Sequence, residues 1–298
     1  MSSSFELQAH SHGKNRVRVL RVHRTGNRHD VIEMSVRVTV LSKAEKSFTE
    51  GDNSGLVPTD TIKNTVNVVA KESKALNIEL FALELAETFL KRYEVMSQVR
   101  IEIESVPWKR VNIKGKPHPH GFIRDGPTVD FADLTATRNT SNISSGFKNY
   151  VVLKTTQSGF EKFAKCTNTT LPEVSDRVLS TSVSGSWSYR CISKSTNFCQ
   201  IRSSIKASLT EAFFGNPETN GVYSPSVQKT LYEMSLATLT TVSDIDSITL
   251  EMPNIHYIPM SLSPFNRKFD NDIYLPIDEP HGLIRATVCR KSACKSRL

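Results

Sequence analysis

The sequence predicts an α+β protein built from two tandem units. Each runs strand-strand-helix-helix-strand-strand and makes an antiparallel sheet with its helices on one face. Three observations predict this. Several stretches alternate apolar and polar residues with period two, as half-buried strands do. Two stretches in each half carry apolar residues at helical spacing. The order of these stretches is the same in both halves, and a Thr/Asn/Ser-rich stretch at 135–147 separates them. The units are therefore drawn as 1–140 and 141–298.

In the first unit, "RVRVLRV" at 16–22 and "VIEMSVRVTVL" at 31–41 alternate apolar and polar side chains and read as strands. A helix starts at Thr59-Asp60, where a Thr or Asp suits an N-cap, and Ile62, Val66 and Val69 share one face. A second helix covers 77–94, with Ile78, Phe81, Ala82, Leu85 and Phe89 in one stripe. "VRIEIESV" at 99–106 is a strand, and another is expected near 120–131. In the second unit, strands are expected at 150–156 and 177–190. Helices follow at 201–214, with Ile205, Leu209 and Phe213 on one face, and at 225–237, with Val227, Leu231 and Met234 in register. Pro225 suits the first helical turn, having no N–H to lose there. Strands at 245–252 and 282–290 complete the repeat.

The length of 298 residues fits two domains of roughly 100–200 residues each. Net charge is +8, a balance that suits an anionic partner. The basic residues are spread evenly, without a run of like charge or a zinc-finger spacing, so nucleic acid is not the expected partner. A small anionic substrate fits better. Five cysteines at irregular spacing without a CxxC point to free thiols in a reducing compartment. The N-terminal stretch lacks the apolar core of a secretory signal, and no apolar run is long enough for a membrane span. Ser296-Arg297-Leu298 is a conservative variant of the Ser-Lys-Leu peroxisomal address, so a peroxisomal import receptor is an expected partner.

Common catalytic patterns are missing. There is no GxGxxG after a strand, no GxxxxGK[ST] and no GxSxG. His118 and His120 stand two apart between prolines, without a third ligand to make a metal site, so none is expected. No cysteine sits at a helix start beside a histidine. An enzyme here works without a cofactor, or uses Lys, Thr and His directly.

Several blocks then carry a resemblance. They are "HGKNRVRV" at 12–19, "GDNS" at 51–54 with "PTDTIKNT" from 58, "VLKTTQSGFEKF" at 152–163, "TTLPEVSDR" at 169–177, "YSPSVQKTLYEM" at 223–234 and "MPNIHY" at 252–257. In this order the chain resembles the urate oxidase (uricase) family over nearly its whole length. The resemblance implies a tandem T-fold, a homotetramer whose sheets join into a tunnel-shaped barrel, and active sites at subunit interfaces. It implies oxidation of urate by O2 and water to 5-hydroxyisourate and H2O2 in purine breakdown, with no metal and no organic cofactor.

The implied roles suit the side chains. Arg177 and Gln228 grip the urate rim, because a guanidinium and an amide each offer paired in-plane hydrogen bonds. Phe160 stacks on the purine, and Leu171 and Val227 complete the wall. Asn254 holds O2 or the attacking water above the ring. Lys14, Thr59 and His256 form a proton relay, and Thr59 and Asp60 also bind the substrate at the helix head. The resemblance places Lys14, Thr59 and Asp60 on one subunit and the rest on its neighbour. The chain departs from the family pattern at His12, where a Tyr is common, at Lys162, where a Gly is common, and at 164–166. These departures leave a second reading open: a T-fold protein that binds urate or a related purine or pterin without efficient turnover.

Overall fold

The computed structural model describes residues 5–124, 126–193, 195–277 and 279–291. Ser296, Arg297 and Leu298 lie outside the described residues. The chain divides into two compact units, Met1–Gly146 and Phe147–Leu298. Both are antiparallel sheet with helices, the α+β class that the sequence predicts.

In the first unit, β1 (His12–Thr25) and β2 (Arg28–Ser42) form a hairpin, followed by the short α1 (Glu45–Thr49), α2 (Thr59–Glu72) and α3 (Ile78–Arg92). Then come β3 (Met96–Ser105), β4 (Trp108–Ile113), β5 (Lys116–Arg124) and β6 (Val129–Thr137). The main sheet has the order β1-β2-β3-β6, and β4 pairs with β5. Alternation decides which face is buried. Val36, Val38 and Val40 of β2, Val99, Ile101 and Ile103 of β3, and Leu134 of β6 are all buried. They belong to one core with Ile62, Val66 and Val69 of α2 and Phe81, Leu85 and Phe89 of α3. The opposite face is polar, with Arg100 reaching both carboxylate oxygens of Asp133 across the strands, at 3.0 and 2.6 Å.

The single strand expected near 120–131 is two strands. Gly126, at φ +74°, and Pro127 interrupt the stretch, so β5 ends before them and β6 starts after. The stretch at 135–147 is not a linker. It holds the end of β6, a turn in which Thr137 donates its N–H to the Thr140 carbonyl (2.8 Å), and the start of β7 (Ser141–Lys154).

The second unit repeats the order. β7 and β8 (Leu179–Tyr189) are followed by α4 (Phe198–Phe214) and α5 (Val227–Thr241), then β9 (Ile245–Pro259), β10 (Tyr274–Ile277) and β11 (Leu283–Cys289). β7, β8 and β9 are neighbours in that order, and both β10 and β11 pair with β9. Val183 and Trp187 of β8 and Ile248, Leu250 and Met252 of β9 are buried in one core with Ile205, Leu209 and Phe213 of α4 and Leu231 and Met234 of α5. Asn197 caps α4 by accepting from the Gln200 N–H (3.1 Å), and Ser226 caps α5 by accepting from the Lys229 N–H (3.1 Å). Pro225 thus precedes the cap instead of opening the helix, because Ser226 supplies the oxygen that the free N–H groups need.

Cys166, Cys191 and Cys199 are free thiols, as expected. Cys289 is disulfide-bonded, against the expectation of free thiols, because pairing depends on where the chain places two sulfurs and not on their spacing in sequence. No helix among the described residues is long and apolar enough to cross a membrane.

Candidate active site

The residues singled out in the sequence fall into two groups, one in each unit. The first unit holds Lys14, Thr59 and Asp60. Lys14 sits where β1 loses register with β2, between Lys14 and Val17, with Arg16 at φ +57°. Such a bulge re-aims the side chains beside it. Gly13 fits there because its backbone presses on β2: a Cβ on it would stand 1.9 Å from the Val38 carbonyl oxygen.

Thr59 opens α2, but it is not the cap. Pro58 holds that position in an extended conformation, and no side chain caps the helix. The Thr59 side chain is exposed at the helix head. Asp60 binds the Lys63 ammonium (2.5 Å) and the Asn64 amide (2.9 Å). Its carboxyl is held below the usual range, first by Lys63 and further by Asn64 and the charge of Lys14. The fold thus brings Lys14 beside the head of α2.

The second unit gathers Phe160, Arg177, Val227 and Gln228 around a backbone ladder. Phe160 and Val174 exchange both N–H···O bonds, at 2.7 and 3.1 Å, and the Arg177 N–H donates to the Ser158 carbonyl (2.8 Å). On the other side, the Ser224 N–H donates to Gln157 and the Gly159 N–H to Ser224, both at 2.9 Å. Ser224 leads directly into α5, whose first two residues are Val227 and Gln228. Val227 is buried and Gln228 is exposed.

The Arg177 guanidinium lies over the Phe160 ring, 5.5 Å from its centroid. Its Nε is buried without a hydrogen-bond partner. Burial pushes its pKa below the usual arginine value, yet a guanidinium stays charged at any physiological pH. A largely buried cation with an unused donor is a receptor for an anion. Phe163 stacks on Phe160, with centroids 4.9 Å apart and rings 11° from parallel. Leu171 stands exposed on the loop between Phe160 and Arg177.

Asn254 and His256 lie on β9 where it changes partners. β9 pairs with β11 up to Pro253 and with β10 from His256 onward. Between them, the Asn254 N–H donates to the Gly282 carbonyl (3.0 Å). The Asn254 amide stands 3.5 Å from His256 Nδ1. Register carries this segment beside the start of β8, with Asn254 opposite Thr181 and Ile255 opposite Ser180, a few residues after Arg177.

His118 and His120 meet edge to face, 4.6 Å between centroids, and His118 Nδ1 faces the His120 N–H (3.2 Å). Among the described residues, no group of three or more His, Cys, Asp or Glu is arranged to hold a metal ion.

A family model described as Uricase matches residues 10–135 and 143–285. The chain belongs to the uricase family. It is 44% identical over 292 residues to the uricase of Arabidopsis thaliana, with 94% of each chain covered. It is 38% identical over 291 residues to the uricase of Danio rerio, with 97% of each covered. The crystal structure of uricase from Arthrobacter globiformis superposes with a TM-score of 0.88 at 32% identity, covering 97% of this chain and 96% of that one.

The departures from the uricase pattern have definite places. His12 binds the Val57 carbonyl through Nε2 (3.0 Å), tying β1 to the segment that leads into Thr59. Lys162 adopts φ +57°, the left-handed conformation that a Gly takes without steric cost. Lys165, within 164–166, pairs with Glu173 (2.8 Å) and braces the loop between Phe160 and Arg177. One further side chain in the Arg177 cluster has no role in the sequence reading: Tyr223, whose hydroxyl donates to the Ser175 carbonyl (3.0 Å). It stands inside the "YSPSVQKTLYEM" block, which was the only signal for it.

Proposed function

We propose that this member of the uricase family oxidises urate with O2 and water to 5-hydroxyisourate and H2O2, without metal or organic cofactor. The observation that carries the reading is the Arg177 guanidinium, largely buried, with its Nε unpaired, over the Phe160 ring. It calls for a flat anion, and urate is one. Arg177 and Gln228 take the rim of the purine, Phe160 stacks on it, and Leu171 and Val227 line the edge. Asn254 faces the ring and orients O2 or water. Lys14, Thr59 and His256 pass protons between urate, water and the nascent peroxide: Lys as a charge, Thr as both donor and acceptor, His through two ring nitrogens that can donate and accept. Assistance of this kind is worth about 10²–10⁴-fold.

Following the resemblance to the uricase family, we assign the complete site to a homotetramer of tandem T-folds, its sheets forming a tunnel. One subunit gives Lys14, Thr59 and Asp60, and its neighbour gives the rest. The peroxisome is the assigned compartment, on the strength of Ser296-Arg297-Leu298. The reading of a purine or pterin binder without turnover has no observation in its favour, because Lys14, Thr59 and His256 are all present.

Chelator-treated protein is mixed with urate and O2 while urate absorbance and peroxide are followed. Urate loss with matching peroxide is the expected result, and it disappears on dilution into a buffer that dissociates the oligomer. Turnover that returns only on adding a metal defeats the cofactor-free mechanism. Activity in a demonstrated monomer defeats the shared site.

A further inference from the structure

We propose that Tyr223 is a positioning residue that sets the spacing between Arg177 and Gln228. The proposal rests on the reading of those two residues as the urate grip.

Three segments meet here. Gln157–Phe160 forms a middle rail, bonded through its backbone to Val174 and Arg177 on one side and to Ser224 on the other. The Tyr223 side chain links the two outer segments directly, its hydroxyl donating to the Ser175 carbonyl at 3.0 Å. To do so it crosses the middle rail at Gly159. A Cβ on Gly159 would stand 2.1 Å from the Tyr223 hydroxyl oxygen and 2.9 Å from the Val174 carbonyl oxygen. The residue at 159 is thus bare because the Tyr223 hydroxyl occupies the space of a side chain.

The two ends of this tie lead to the two gripping groups. Ser175 is two residues before Arg177, and Tyr223 is five before Gln228, which stands on the first turn of α5. Gln228 is held by a capped helix, but Arg177 follows an irregular loop. Without the tie, that loop would set the Arg177 position by itself. A planar ligand held at two edges needs both groups at a fixed separation, and small misplacement costs much of the binding. Nothing in the tie touches Lys14, Thr59 or His256, so its loss weakens the grip and leaves the proton relay intact.

The test is Tyr223→Phe, which keeps the ring and removes only the hydroxyl. Urate binding is measured without O2 by calorimetry, alongside steady-state turnover and thermal melting. The expected result is a Kd and a KM raised about three- to tenfold, the factor that one hydrogen bond carries, with kcat within about twofold of the parent. Unchanged Kd and KM in Tyr223→Phe overturn the proposal. A fall in kcat and melting temperature with no separate rise in Kd also overturns it, since that marks a strut of the fold. If the parent protein does not bind urate, the grip itself is wrong and the brace falls with it; parent binding with an unaffected variant refutes only the brace.

Discussion

The guanidinium carbon of Arg177 lies 5.5 Å from the centre of the Phe160 ring, and the arginine's Nε is buried without a hydrogen-bond partner. A cation on an aromatic face with an idle donor is prepared for an anionic plane. Arg177→Lys keeps the charge and loses the planar fork. Hydrogen bonds to charged groups carry about 1.5–3 kcal/mol, so the urate KM rises by about one to two orders of magnitude. Steady-state kinetics check this, and a KM unchanged by the substitution removes Arg177 from the grip.

We expect Thr59 to bear on turnover and not on stability. Pro58 holds the N-cap position, and no side chain caps the helix. Thr59→Ala therefore leaves the melting temperature nearly where it was, a change within about 0.5 kcal/mol. Turnover falls by about 10²-fold or more if the hydroxyl relays protons. Matched losses of fold and activity would make Thr59 structural.

Lys162 holds a conformation that costs an L-residue about 1–2 kcal/mol. Lys162→Gly removes that strain, while glycine's extra freedom in the unfolded chain offsets about 0.4–1 kcal/mol. A net gain of up to about 1 kcal/mol follows, seen as a higher denaturation midpoint at unchanged kcat. A lower midpoint means that the Lys162 side chain contributes more than its backbone costs.

Lys154 gives a pH signature. Its ammonium is buried, donating to the carbonyls of Val222 (2.8 Å) and Phe213 (3.3 Å), and burial pushes its pKa down from 10.5 to about 8. Between those values the unfolded chain holds a proton that the folded chain has released, so the unfolded state binds more protons and stability rises with pH. Below about pH 8 both states are protonated and this contribution is flat. Denaturant midpoints across the window rise more steeply in the parent than in Lys154→Met. Parallel curves would show that the amine titrates normally in the folded protein.

His12 fixes the segment before α2 through the Val57 carbonyl, 3.0 Å away. His12→Ala frees that segment and lets Thr59 wander from Lys14. The expected effect is a lower kcat with urate Kd nearly unchanged, because Arg177 and Gln228, the proposed grip, belong to the other unit. A change in Kd alone would contradict this division of labour.

Periodicity in the sequence determined which faces are buried. The alternation of "VRIEIESV" appears as buried Val99, Ile101 and Ile103, and the stripe of 77–94 as buried Phe81, Leu85 and Phe89. The physical reason is local: a period of two or 3.6 residues turns apolar side chains to one side, whatever lies there. The blocks around Thr59, Phe160, Arg177, Gln228 and His256 named the candidates only through their resemblance to the uricase family.

Tertiary structure decided what depends on distant partners. The partner switch of β9 at Asn254–His256 and the crossing of Tyr223 over Gly159 each join segments far apart in sequence. No local pattern encodes these, because a hydrogen bond or a steric gap between remote residues exists only once the chain has folded.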